Sequence, residues 1–397
     1  MNDGNRKIAV FSGNRAEYGL QYPILRALSS DYRLNCYLLV GGAHLQQDFG
    51  KTREEIESDG FKVYREVAIE MQQDTLYATA QAIGTGILSL SRILDELRPD
   101  FMVVYADRYE SFSAMITSTQ MNIPTVHIEG GDYTEGGALD DSVRHAMTKL
   151  AHLHFTTNKQ AAERILMMGE EAWRVFNVGF PALDLVVAGV YATPKEAAAF
   201  LDLDLTRPII LFCQHSVTTE FYQAVDQIMP SLEALTQVAL RGCQVVITYP
   251  NNDAGGRRII EQIKNLEEKA LPNIKITKSL GRYRFHGLLN IIGRIGSGAF
   301  VGNSSAGIKE SPAFGCPTVN IGSRQQGRLR ANNVIDVPYS SGAIIDAIMQ
   351  CIEDQTFRKQ CQTCDNPYGA GNAGPRIAEV LATIPIDNKL LQKKMTY

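Results

Sequence analysis

Residues 99–131, PDFMVVYADRYESFSAMITSTQMNIPTVHIEGG, contain two apolar runs separated by a helical pattern. The first run, Phe101–Ala106, is uninterrupted, as expected of a strand that is buried on both faces. Tyr109–Met121 is predicted to be a helix and Pro124–Ile128 the following strand. Two strands joined through a helix in this way form a βαβ unit, so we expect them to lie parallel in one sheet.

The same alternation of strands and helices extends along the chain in both directions. Further strands of the first half are predicted at Lys7–Ser12, Leu34–Val40 and His154–Thr157. After an Ala-rich helical segment at 184–208 the pattern restarts, with strands at Ile209–Cys213, Val245–Tyr249, Ile274–Thr277, Ala299–Val301 and Pro317–Ile321. The sequence therefore predicts an α/β protein of two Rossmann-like, doubly wound domains that face a cleft.

Composition excludes several classes of protein. The 397 residues include 39 Lys and Arg against 43 Asp and Glu, so a net charge of −4 argues against a nucleic-acid partner. No apolar run reaches the roughly 18–20 residues of a membrane span, so no membrane partner is expected. Seven scattered cysteines indicate reduced thiols and a cytoplasmic location, and Cys361 and Cys364 are interpreted as ordinary thiols.

No cofactor and no metal is expected from the motifs. The segment Gly369–Gly374 has the GxGxxG spacing of a dinucleotide-binding loop, but it follows the turn 366–368 and not a strand. The first strand leads into 13–19, GNRAEYG, which lacks that spacing, and no P-loop motif is present. A nicotinamide enzyme and a P-loop kinase are both disfavoured, and metal-ligand spacings are absent.

Acidic residues follow the strands of the first half at the predicted ligand edge. Asp107 comes directly after the strand that ends at Ala106, and Glu129 directly after the next strand. Asp140 follows a glycine-rich loop and begins another predicted helix. Carboxylates that converge in a cleft suit proton transfer, because repulsion and partial burial alter their protonation. It is also possible on the sequence that Asp107 and Glu129 are solvated loop acids and that Asp140 caps its helix.

The second half has its own polar residues at strand ends. His215 follows the strand Ile209–Cys213, and a lone histidine in this position is either functional or structural. Residues 302–307, GNSSAG, follow a strand and open a helix, where small residues and backbone N–H groups suit a diphosphate. Ser304 and Ser305 belong to this loop, which is either a phosphate site or a capped helix without a ligand. Glu310, further along the helix, suits ribose hydroxyls, and Arg324 suits a departing phosphate.

These residues resemble the UDP-N-acetylglucosamine 2-epimerases, and more closely their hydrolysing branch. The resemblance spans nearly the whole chain and rests on the segments 13–18 (GNRAEY), 107–110 (DRYE), 127–131 (HIEGG), 140–145 (DDSVRH), 214–215 (QH), 250–255 (PNNDAG) and 302–307 (GNSSAG). It implies the GT-B fold, with an N-terminal domain at 1–183, a C-terminal domain at 184–373, and a helix and tail at 374–397 that pack back onto the N-terminal domain.

The resemblance also implies site residues. The catalytic residues of the family fall on Asp107, Glu129, Asp140 and His215. Its substrate and nucleotide contacts fall on Arg15, Arg108, Asn251, Ser304, Ser305, Glu310 and Arg324. The non-hydrolysing branch usually has a neutral residue at the position of Arg108 and a different segment at 140–145, and these differences favour hydrolysis.

The implied reaction converts UDP-N-acetylglucosamine and water to N-acetylmannosamine and UDP for the synthesis of sialic-type acids, and we expect a homodimer or homotetramer. Departures from the family before Asp107 and in the segment 279–290 leave a second substrate open, UDP- or GDP-linked N,N'-diacetylbacillosamine, used in legionaminic acid synthesis. A non-hydrolysing 2-epimerase, a GT-B glycosyltransferase and a non-catalytic nucleotide-sugar sensor would also be compatible with parts of this pattern.

Overall fold

The computed structural model describes residues 5–46, 52–69, 73, 75–133, 138–251 and 253–397. The chain divides into two compact units. The first consists of Met1–Tyr133, Leu139–Asp184 and Tyr368–Tyr397, and the second is built mainly from Leu185–Pro367. Along the described part of the chain, no helix is both long and apolar enough to cross a membrane.

The first unit contains a seven-stranded parallel sheet in the order β3-β2-β1-β4-β5-β6-β7. The strands are β1 (Arg6–Ser12), β2 (Leu34–Gly41), β3 (Val63–Val67), β4 (Phe101–Tyr105), β5 (Thr125–Ile128), β6 (Leu153–Thr156) and β7 (Val175–Asn177). The helices are α1 (Arg15–Ser30), α2 (Arg53–Ser58), α3 (Leu76–Leu97), α4 (Tyr109–Gln120), α5 (Ala138–Leu150) and α6 (Lys159–Met167). Strand β1 pairs with both β2 and β4, so the direction of winding reverses there.

Strand β4 is central, and its sequence follows from that position. It pairs with β1 on one side and β5 on the other, and all five of its residues are buried. An uninterrupted apolar run is what such a strand requires. The sequence did not predict β3 and β7, which lie at the two edges of the sheet and carry only partly buried or exposed side chains apart from Val67.

The second unit contains a six-stranded parallel sheet in the order β10-β9-β8-β11-β12-β13. The strands are β8 (Ile209–Cys213), β9 (Gln244–Thr248), β10 (Ile274–Thr277), β11 (Gly298–Gly302), β12 (Thr318–Ile321) and β13 (Val334–Val337). The helices are α7 (Ala182–Val187), which leads into the unit, α8 (Pro194–Leu201), α9 (Ala224–Leu240), α10 (Gly256–Glu267), α11 (Gly281–Asn290), α12 (Ala306–Lys309), α13 (Ser341–Glu353) and α14 (Gln355–Gln362). Winding reverses between β8 and β11, and only the edge strand β13 was missing from the prediction.

The segment Tyr368–Tyr397 completes the first unit with α15 (Ala373–Thr383) and α16 (Asn388–Leu391). The GxGxxG spacing belongs to the start of α15, which packs on α1. Gly369 and Gly371 have φ of 100° and 94°, and a Cβ on Gly374 would lie 2.6 Å from the Pro23 carbonyl oxygen. Asp184 accepts hydrogen bonds of 2.8 and 2.7 Å from the N–H groups of residues 373 and 374. Glycine is therefore required by the backbone conformation at 369 and 371 and by the close packing of α15 on α1 at 374.

The end of the chain is held by a buried arginine. The Arg174 guanidinium donates hydrogen bonds of 2.8 Å to the carbonyl of Leu390 and 2.6 Å to that of Lys389. It also donates to the carbonyl of His152, at 3.2 Å. Since a buried guanidinium needs acceptors for its N–H groups, Arg174 makes the tail part of the first unit.

Candidate active site

The carboxyl ends of β4 and β5 bring the first acidic residues together. Tyr105 pairs with Ile128, so Asp107 and Glu129 follow adjacent strands at the same edge of the sheet. Ala106 and Glu129 have φ of 53° and 67°, a left-handed conformation that costs free energy for a residue other than glycine. Backbone strain of this kind is concentrated at functional sites, and the two strained residues here flank one edge.

Asp107 forms an ion pair with Arg144, which is 1% exposed. The same guanidinium pairs with Asp141 and donates a 3.0 Å hydrogen bond to the carbonyl of Asp132. A guanidinium in contact favours the ionised form of a carboxyl group. The ion pair therefore fixes the position of the Asp107 side chain and compensates its charge. The sequence contained Arg144 within a matching segment but gave it no role, because its partner Asp107 comes from another part of the chain.

Glu129 and Asp140 belong to different elements of the first unit. Glu129 is 6% exposed, and its backbone N–H donates to the carbonyl of Phe155 at 2.9 Å. Asp140 is partly buried in the first turn of α5, the helix that also carries Arg144. The helix begins at Ala138 and not at Asp140 as predicted, so Asp140 is inside the helix and is not its N-cap.

His127 lies beneath this edge and was assigned no separate role by the sequence. Its Nε2 is 2.7 Å from the carbonyl oxygen of Ala106, the residue before Asp107, and its Nδ1 is 3.2 Å from Oγ1 of Thr148. Because a carbonyl only accepts, Nε2 carries the proton and Nδ1 accepts from the threonine hydroxyl. Burial lowers the pKa of His127 to about 3, so the ring is neutral and supports the turn as a hydrogen-bond donor.

Replacing His127 with phenylalanine is expected to lower kcat about 10²-fold, because the Ala106 turn loses its support and Asp107 shifts from its position. The dissociation constant for UDP, the nucleotide that the resemblance implies, should change less than about twofold, since in this interpretation His127 supports the turn before Asp107 and does not contact the ligand. Glutamine, whose amide reaches the place of Nε2, should restore most of the rate. Steady-state kinetics with calorimetric UDP titration measures both quantities, and a wild-type kcat for the phenylalanine variant would contradict the role.

The two arginines predicted to contact substrate lie at the β1 and β4 ends. Arg15 is the first residue of α1, and Arg108 pairs with the buried Glu110 at 3.3 Å. The sequence missed Glu17, which accepts hydrogen bonds from the Gly13 N–H at 2.8 Å and from a serine hydroxyl, that of residue 111, at 2.7 Å. Burial raises the pKa of Glu17 to about 8, so it holds its proton at neutral pH and adds no negative charge beneath this edge.

In the second unit, His215 follows β8 in a fixed orientation. Its backbone N–H donates to Oδ1 of the buried Asn303 at 2.6 Å, and the Asn303 amide donates to the His215 carbonyl at 2.9 Å. The backbone N–H of Asn251 donates to His215 Nδ1 at 3.0 Å. The neutral ring therefore carries its proton on Nε2, which lies 3.5 Å from Sγ of Cys213. Asn251, predicted as a substrate contact, also sets the histidine tautomer through its backbone.

The loop 302–307 follows β11 and precedes α12, as the sequence predicted. Gly302 has φ of 133°, and a Cβ there would lie 2.0 Å from the carbonyl oxygen of Cys213, so only glycine fits. Arg324 donates a 3.1 Å hydrogen bond to the carbonyl of Asn303, which places its guanidinium beside the loop. Ser304 and Ser305 precede α12, where Oγ of Ser304 accepts from the N–H of residue 306 at 3.4 Å.

Glu310 is not further along one continuous helix, as the sequence predicted. Helix α12 ends at Lys309, and a separate 3₁₀ turn, Ser311–Phe314, follows. Pro312 has no N–H and disrupts a continuing helix, which explains the break. Glu310 stands at the junction, 8% exposed, with its Oε2 2.6 Å from Nε2 of His286.

Two units, each a doubly wound parallel sheet with polar residues at its reversal point, define a two-domain α/β protein of the GT-B type. The chain belongs to the UDP-N-acetylglucosamine 2-epimerase family, because the sequence model of that family matches residues 26–382. The expected fold, family and enzyme class are confirmed. The assignment of individual residues to catalysis or binding stays a prediction.

Several named relatives match over nearly their whole length. The UDP-N,N'-diacetylbacillosamine 2-epimerase (hydrolyzing) of Legionella pneumophila is 32% identical, over 99% of this chain and 100% of the relative. The GDP/UDP-N,N'-diacetylbacillosamine 2-epimerase (hydrolyzing) of Campylobacter jejuni is 32% identical over 89% of each chain. The UDP-N-acetylglucosamine 2-epimerase of Neisseria meningitidis is 29% identical over 98% of each.

A solved structure supports the fold independently. The crystal structure of UDP-GlcNAc 2-epimerase from Neisseria meningitidis bound to UDP-GlcNAc is similar with a TM-score of 0.79 and 20% identity. The similarity covers 95% of this chain and 99% of that chain.

Proposed function

We propose that this chain is a hydrolysing 2-epimerase of a UDP-linked 2-acetamido sugar, which releases UDP and the free sugar with inverted configuration at C2. The observation that carries the proposal is the ion pair of Asp107 with Arg144. It supplies a carboxylate base beside Glu129 at the strand ends where ligands bind in this fold. Membership of the 2-epimerase family indicates the reaction in which this base would act, the removal of the proton at C2 of the sugar.

We propose N,N'-diacetylbacillosamine as the sugar. The relatives from Legionella and Campylobacter, both 32% identical and both named for this substrate, support the choice. The product would then be the free 2,4-diacetamido-2,4,6-trideoxy manno sugar, which serves legionaminic acid synthesis. The second candidate is UDP-N-acetylglucosamine, favoured by the 29% identical Neisseria relative, with N-acetylmannosamine as the product for sialic acid synthesis.

The chemistry proposed is elimination followed by hydration. The hydrogen at C2 is not acidic, because no carbonyl neighbours C2 in the ring. In an α-linked gluco sugar the C1–O and C2–H bonds are anti, so loss of the nucleotide and the C2 proton gives a glycal. Water then adds its oxygen to C1. A proton adds to C2 on the face opposite to the one from which the first proton was removed, and this inverts C2. The bond to UDP is broken, one water is consumed and the manno sugar is released.

The proposal gives each residue a role that its position and contacts support. Asp107, paired with Arg144, accepts the C2 proton, and Glu129 acts with it in proton transfer or in activating water. Asp140 assists at the other face of the sugar. In the second unit, His215 carries its proton on Nε2 and donates to the leaving diphosphate, and Arg324 shares the charge that develops there.

Proton NMR in deuterated water tests the reaction and its substrate together. With UDP-N,N'-diacetylbacillosamine we expect UDP and a free manno sugar that carries deuterium at C2, with no metal or acceptor added. Parallel kinetics with UDP-N-acetylglucosamine decides between the two candidates, because a higher kcat/KM for it would establish the second. A manno product still linked to UDP would contradict hydrolysis, and absence of turnover with both sugars would contradict the enzyme assignment.

A further inference from the structure

A histidine in the second unit contacts Glu310, the residue that the sequence analysis expects at the ribose of the nucleotide. His286 lies on α11 and is 2% exposed, and its Nε2 is 2.6 Å from Oε2 of Glu310 at the end of α12. The two residues are far apart in sequence and belong to separate helices. Neither the sequence motifs nor the proposed mechanism assigns any role to this histidine.

The surroundings of His286 fix which of its nitrogens donates. Within the described residues, Nδ1 is buried and has no hydrogen-bond partner. The ring packs against Phe314, with ring centroids 5.4 Å apart, and against Phe285 at 6.3 Å. Because a carboxylate oxygen only accepts, Nε2 carries the proton and donates to Glu310. The apolar contacts around the ring hold it in place while its single hydrogen bond is directed at the carboxylate.

We propose that His286 is a positioning residue for nucleotide binding, which holds the Glu310 carboxylate oriented to accept the ribose hydroxyls. The inference rests on the proposed function and on the sequence-based expectation that Glu310 binds the ribose of its nucleotide. A glutamate side chain has several rotamers of similar energy, and ordering it on binding weakens affinity. The hydrogen bond from His286 selects one orientation beforehand, because it engages Oε2 from a ring that is itself fixed by packing.

This role predicts an effect on binding and not on chemistry. Glu310 contacts the ribose and not the reacting C1 and C2 atoms, so losing its orientation weakens ground state and transition state alike. Replacing His286 with leucine should raise the UDP dissociation constant and KM about tenfold, in line with one hydrogen bond to a charged group. The value of kcat at saturation should stay within about twofold. Glutamine, which retains a donor near the position of Nε2, should restore most of the affinity.

The experiment compares UDP with 2',3'-dideoxy-UDP by calorimetry on the wild type and on H286L, H286Q, E310Q and H286L/E310Q, with circular dichroism to verify folding. We expect wild type to bind the dideoxy ligand more weakly than UDP. We expect H286L to weaken UDP but not the dideoxy ligand, and the double variant to match E310Q. If H286L does not fold, H286F serves as the variant that removes the donor.

The possible outcomes distinguish a failure of the His286 inference from a failure of the proposed function on which it rests. If E310Q loses affinity for UDP while H286L does not, or if H286L weakens both ligands equally, the positioning role of His286 is wrong and Glu310 keeps its own. If wild type binds both ligands alike and E310Q has no effect, the ribose role of Glu310 fails, and the inference about His286 fails with it. Absence of UDP binding by the folded wild type would overturn the proposed function itself.

Discussion

Asparagine in place of Asp107 is expected to lower turnover about 10⁴-fold, the upper end of what a positioned general base contributes. The amide keeps the size and most contacts of the side chain but cannot accept the C2 proton. The UDP dissociation constant should be unchanged, because Asp107 is proposed to act on the C2 proton and the substitution leaves the predicted nucleotide contacts in place. Single-turnover kinetics and calorimetry measure the two effects separately, and deuterium exchange at C2 should disappear together with turnover.

Asp346→Asn is the matched control, since it makes the same chemical change at an exposed residue of α13. It should retain the wild-type rate. A near-wild-type rate for D107N would remove Asp107 from the mechanism. A loss of rate in D107N accompanied by an equal loss of UDP affinity would instead indicate a general disturbance of structure.

Methionine in place of Arg144 is expected to lower the free energy of unfolding by about 3–5 kcal/mol, the cost of removing one partner from a buried ion pair. The carboxylates of Asp107 and Asp141 would lose their shared counter-charge, and the carbonyl of Asp132 would lose its donor. Turnover should fall about 10³-fold, because Asp107 is no longer held in position. Urea unfolding and steady-state kinetics measure both losses.

Two further variants show whether the ion pair between Asp107 and Arg144 is responsible for these losses of stability and turnover. Lysine at position 144 keeps the positive charge but not the planar fork, so it should recover part of the stability and little of the rate. In the D107N background the stability cost of R144M should be smaller, because residue 107 then carries no charge that could lose its counter-charge. Additive stability losses in this double-mutant cycle would show that Asp107 and Arg144 act independently.

The sequence predicted the central strands because they carry the strongest pattern. Phe101–Ala106 and Ile209–Cys213 are apolar without interruption, since strands in the middle of a parallel sheet are buried on both faces. The edge strands β3, β7 and β13 are partly exposed, so their mixed composition resembles that of a loop. These three strands could not be predicted, because a short strand that is only partly buried has few apolar positions to form a pattern.

The candidate site shows a similar division. Asp107 and Glu129 could be placed together because strand ends in a βαβ unit are adjacent by topology. Arg144, His127 and His286 were not predicted, because each acts through a partner that only the folded chain brings near. A histidine within a buried strand or helix has no sequence pattern that distinguishes a supporting donor from an ordinary core residue.

The first unit is discontinuous, and this matters while the protein is being made. Every strand of the second unit leaves the ribosome before Tyr368–Tyr397 does, although that segment belongs to the first unit. Until it emerges, the face of α1 that α15 covers is open to water, and Arg174 has no tail carbonyls to bind. The first unit is therefore translated first yet completed last, so its nascent form depends longer on protection from aggregation than the second unit does.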